Sequence, residues 1–139
     1  MRLPLLPAVI ALAMAAAPQA VRPDDPAVAV RTDFPGGNAV VVKNAGAAVE
    51  LAPDLRGGRD WFYWCFEAAA ARPGEVVFAF PPKVAGFTNG AVGHQGPAVS
   101  TDGGKTWRWM GNDAAVVRGR SFTYSFTKAG EAVRFAVTL

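Results

Sequence analysis

Cysteine and histidine each occur once in the 139 residues, as Cys65 and His94. One thiol excludes an intramolecular disulfide, so the fold has to rest on its apolar core. A zinc site takes three or four ligands from His, Cys, Asp and Glu, and His94 lies in "NGAVGHQGP" without such a neighbour. A Ser-His-Asp arrangement would need the same histidine, and no G-x-S-x-G is present. The sequence therefore assigns no catalytic residue, no metal ligand and no cofactor-binding residue to this chain. Helical periodicity is also missing: only "EAAAAR" has the composition for a turn of helix. Without a strand that runs into a helix, the glycine pairs starting at 36, 57 and 103 read as turns rather than phosphate cradles. Charged residues make up 18% of the chain with a formal net charge of +3, and the basic ones form no run or stripe. That pattern gives no footprint for nucleic acid.

The longest apolar run is Leu3 to Ala17, short for a membrane span. It follows Arg2 and precedes small residues, the layout of a signal peptide over 1–20 cleaved near Ala20. The expected location is secreted or periplasmic, with no stable membrane anchor. "VRPDDPAVAVRTDFP" carries Pro23, Pro26 and Pro35, and reads as an extended linker over 21–35 that also holds the carboxylate pair Asp24 and Asp25. The remaining 36–139 form one domain.

Within it, strand-like runs recur at short intervals: Ala39 to Lys43, Ala48 to Ala52, Trp61 to Glu67, Val76 to Phe80, Pro97 to Thr101, Thr106 to Met110, Ser121 to Thr127 and Val133 to Leu139. Gly/Pro/Asn/Asp clusters such as "FPGGN", "ARPGE" and "TKAGE" separate them. "SFTYSFT" and "VRFAVTL" alternate apolar with polar, as half-buried strands do. Eight short strands with such turns predict an all-β fold, an antiparallel β-sandwich. "DWFYWCFE" breaks the alternation. Phe62, Trp64 and Phe66 would point one way and Trp61, Tyr63 and Cys65 the other, so both faces are apolar. Something must lie over the outer one, either loops of this domain or a partner, which makes Trp61, Phe62, Tyr63 and Trp64 the candidate interdomain or ligand face.

"STDGGKTW" fits S-x-D-x-G-x-T-W and resembles the Asp-box of sialidases and other β-propellers. Its physical reading is a structural hairpin: Asp102 accepts backbone N–H groups, Gly104 takes positive φ, Ser100 and Thr106 add side-chain bonds, and Trp107 folds beneath. A second reading of the aromatics is a secreted carbohydrate-binding module. In it Trp61, Trp64, Trp107 or Trp109 would stack on sugar rings beside Asn89, Gln95 and Asp113.

Taken in order, "FPGGN", "LAPDLRGGRDWFYWCFEA", "FTNG", "GPAVSTDGGKTWRWMG", "FTYSF" and "VRFAVTL" resemble the N-terminal β-sandwich domain of M14 zinc carboxypeptidases of the cytosolic-carboxypeptidase-like subfamily, including bacterial exported members. The resemblance implies a noncatalytic accessory domain. Its partner would be a peptidase catalytic domain, in cis or in trans, and zinc would belong only to that domain. It also implies that this chain is a fragment of such a protein or a stand-alone copy of its sandwich.

Overall fold

The structure is a computed structural model that describes residues 19–54, 63–81, 91–111 and 119–138. Among these residues the secondary structure is entirely strand, in two packed sheets, as the alternation requires. The strands are β1 (Val28–Arg31), β2 (Val40–Ala45), β3 (Ala48–Ala52), β4 (Cys65–Ala70), β5 (Gly74–Ala79), β6 (Ala98–Ser100), β7 (Arg108–Trp109), β8 (Ser121–Phe126) and β9 (Ala132–Ala136). One sheet has the order β1-β4-β9-β6-β7 and the other β2-β3-β5-β8.

Direction reverses at every step along the chain, so strands of unlike parity pair antiparallel. The exception corrects the expected all-antiparallel arrangement: β3 and β5 are neighbours of like parity and pair parallel. The cause is β4, which leaves for the other sheet between them, so the chain re-enters its first sheet in its earlier direction. The same reversal sorts the connections. Spans 46–47, 71–73, 101–107 and 127–131 lie at one end of the sandwich; 32–39 lies at the other, where β3, β5, β7 and β9 finish and β4, β6 and β8 begin.

The core lies between the sheets. Phe66 on β4 is registered with Phe135 on β9, and Phe78 on β5 with Phe122 on β8. These two cross-strand pairs face each other with ring centroids 5.0 to 5.4 Å apart. Trp64 extends the cluster, 4.7 Å from Phe80 and 6.2 Å from Phe122, and its Nε1 donates to the Ala91 carbonyl at 2.9 Å. Burying one such ring contributes about 2 kcal/mol or more, and the indole bond removes the cost of an unpaired polar group.

Three expectations need correction. The segment over 21–35 is not a linker throughout, because β1 forms the edge of the five-stranded sheet. Its prolines concealed "VAVR", which is too short to show a period yet is supported along its full length by register with Glu67 to Ala70. The aromatic strand begins at Cys65 rather than Trp61 and runs on to Ala70. Here pairing with both β1 and β9 overrides the helix preference of the alanines. Trp61 and Phe62 lie outside the described residues. Finally, the run from Thr106 to Met110 yields only the two-residue β7, since the hairpin holds 101–106 in bends.

Candidate functional site

Chemistry-bearing side chains gather on the outer face of the five-stranded sheet, where register builds two rows. Cys65, Ala136, Ala98 and Trp109 form one, and Asn38 bridges to Cys65 at its head. The next row is polar: Arg31, Glu67, Arg134 and Ser100 stand side by side on β1, β4, β9 and β6. Arg31 Nε donates to Glu67 Oε1 at 2.7 Å, and Arg134 Nε to Oε2 at 2.9 Å. Each carboxylate oxygen thus has its own guanidinium. Burial by itself pushes the Glu67 carboxyl upward and is the largest single influence, but the bonds and charges of Arg31 and Arg134 together hold it below the ordinary range. The Arg134 guanidinium carbon in turn lies 4.1 Å from the centre of the Phe34 ring.

The hairpin of Ser100 to Trp107 abuts this row. Asp102 Oδ1 accepts from Ser100 Oγ at 2.8 Å, Lys105 N at 3.0 Å and Thr106 N at 2.9 Å, and Oδ2 accepts from Thr106 Oγ1 at 2.6 Å. Gly104 N donates to Ser100 Oγ at 2.8 Å, and Trp107 Nε1 donates to the Gly104 carbonyl at 3.1 Å. These bonds, those from Thr106 foremost and then that from Ser100, hold the Asp102 carboxyl far below its usual value. Gly104 has φ of +90°, and a Cβ there would come 2.9 Å from Arg134 Nη1, so the hairpin rests directly on the arginine.

Phe34, Tyr63 and Trp107 pack over Cys65, Ala98 and Ala136. The outer face of β4 near Cys65 is therefore covered by loops of this same domain. Burial pushes the Cys65 thiol up, against the pull of Tyr63 and Arg134, so it is protonated at neutral pH. Beside Phe34 opens a cleft of about 520 Å³ lined by Thr32 to Asn38 and Tyr63, whose hydroxyl donates to the Gly36 carbonyl at 3.3 Å. At its floor a Cβ on Gly37 would collide with the Thr32 carbonyl, so the turn closes only with glycine.

The residues proposed from sequence thus scatter. Ser100, Asp102, Gly104, Thr106 and Trp107 converge in one hairpin, whereas Trp64 has 0% exposure and belongs to the intersheet core. Tyr63 is half-buried on the outer face. For an aromatic platform, Trp107 is tied beneath its loop and Trp109 is 37% exposed. Gln95 and His94 are exposed, while Asn89 and Asp113 lie outside the described residues with Trp61 and Phe62. Arg31, Glu67 and Arg134 carry no motif. Their only trace in the sequence is one charge at a single outward position in each of three otherwise apolar strands. Among the described residues no group of three or more His, Cys, Asp and Glu is placed to hold a metal ion.

No protein-family model and no curated protein matches the sequence. Solved structures do match. A metallo-carboxypeptidase from Burkholderia cenocepacia superposes with a TM-score of 0.54 at 18% identity, over 78% of this chain and 28% of its own. A Burkholderia mallei structure described as a carboxypeptidase gives 0.55 at 20% identity, with the same coverage. The chain spans less than a third of either protein, and what it shares with them is the fold of that part.

Proposed function

We propose that this chain is a noncatalytic accessory sandwich that supports a zinc peptidase domain and acts in the periplasm or outside the cell. The observation that carries the reading is the match to 28% of two carboxypeptidase chains, a partial overlap that leaves most of each chain to other structure. The topology favours one seat for such a partner. β1, β3, β5, β7 and β9 all finish at one end of the sandwich, the end that also holds the connection between β1 and β2. Hydrolysis would then require ligands from the partner, and this chain's part would be to position and stabilise it.

The test is a chimera in which residues 28–138 replace the matched part of the Burkholderia cenocepacia protein. Soluble expression with release of a C-terminal amino acid from a blocked peptide supports the reading. Stoichiometric zinc together with peptide turnover by the purified 139-residue chain alone overturns it.

A further inference from the structure

We propose that Glu67 latches a strap, Thr32–Gly37, over the small-residue floor of the outer face and that neutralising this one carboxylate opens it. The strap is fixed at both ends by contacts that do not involve charge. Val28 is buried in the core just before it, with Ala27 N bonded to the Gly46 carbonyl and Ala71 N to the Ala27 carbonyl. After it, Asn38 and Cys65 exchange both backbone hydrogen bonds, at 2.8 and 2.9 Å.

Between these anchors the holding contacts differ in kind. Arg31, at the strap's entrance, is 56% exposed along its side chain and is tied to Glu67 Oε1. Phe34, at its middle, lies against Arg134, which is tied to Glu67 Oε2. The backbone ladder carries β1 as far as Arg31, Gly37 N closes the turn on the Phe34 carbonyl at 2.9 Å and Tyr63 makes a long bond to Gly36; beyond these, both side-chain ties run through the same carboxylate. Beneath lie Cys65, Ala98 and Ala136, small side chains against which Phe34 is the one strap residue that packs.

The charged groups facing Glu67 are Arg31 from β1 and Arg134 from β9; β6 brings the neutral Ser100, and Asp33 acts on Arg31 from the strap itself. Removing the Glu67 charge therefore leaves two cations flanking a neutral group. The latch becomes a repulsion that pushes the strap outward. Because the Glu67 carboxyl is held low in the folded chain, the strap stays closed above the ordinary carboxylate range and opens as pH falls through the folded value.

Cys65 is the sole thiol and lies under the strap, so it reports on opening directly. The measurement is the rate of its reaction with 4,4′-dithiodipyridine in the full chain at neutral pH, with near-ultraviolet circular dichroism as the check on folding. Glu67→Gln should raise the rate about tenfold or more, and Arg31→Met, an exposed change that does not threaten folding, several-fold. Equal rates in wild type and both folded variants overturn the proposal. An increase in Glu67→Gln alone also overturns it, because the sheet centre rather than the strap would then have loosened. If Glu67→Gln fails to fold, Arg31→Met decides by itself.

Discussion

On their inner side β4 and the residue before it present Trp64, Phe66 and Ala68 to the rings of the facing sheet; on the outer side of β4, Cys65 and Glu67 meet a loop, a hairpin and two arginines, with Tyr63 packed beside Cys65. Both faces are closed, but the inner closure is dispersion and burial between large rings, while the outer closure combines the packing of Phe34, Tyr63 and Trp107 with one carboxylate and glycine turns. The first kind is distributed over many contacts and tolerates pH. The second concentrates its strength in few groups and can be undone singly.

The largest effect should come from the inner side. Phe135→Ala removes a ring in contact with Phe66, Phe78, Phe122 and Tyr124, and should cost about 3–5 kcal/mol in urea unfolding. A loss below about 1 kcal/mol would mean that the aromatic cluster is not the main support. Next in size, Glu67→Gln should lower stability by about 2 kcal/mol at pH 7, the scale of hydrogen bonds to a charged group. The gap between variant and wild type should close in acid. Glu67 titrates lower when folded than unfolded, so its contribution is present above the unfolded value and lost as pH falls through the folded one. An unchanged gap at low pH would break the contrast between the two faces.

Gly104→Ala should cost about 1 kcal/mol, read as a shift in melting temperature, because positive φ strains alanine and the new methyl presses on Arg134 Nη1. The smallest effect belongs to the four-stranded sheet. Val77 lies on its outer face, registered with Ala48 and Thr123, and is 40% exposed. Val77→Lys should change stability by less than about 0.5 kcal/mol in unfolding of the isolated chain. A larger loss would show that this outer face, like that of β4, is covered within the chain.

Alternation in "SFTYSFT" and "VRFAVTL" was legible because each strand has one wet face, and the structure places Phe122, Phe126, Val133 and Phe135 in the core as that pattern requires. The hairpin residues were legible because their hydrogen bonds are local, spanning two to four positions. The Arg31, Glu67 and Arg134 row was not, since its members are separated by 36 and 67 positions and meet only through strand register. β1 escaped notice for a related reason: four residues carry no period of their own, and their strand state comes from the partner β4.

What the sequence determined by itself was the period of the strands, the chemistry of the tight turns and the scarcity of Cys and His. Each is a property of composition or of neighbours a few residues apart. Tertiary structure alone decided which strands lie side by side, that β3 and β5 run parallel, and that one glutamate stands between two arginines. Those outcomes depend on sheet order, and order is set by how distant segments bury their faces together rather than by any stretch of chain in isolation.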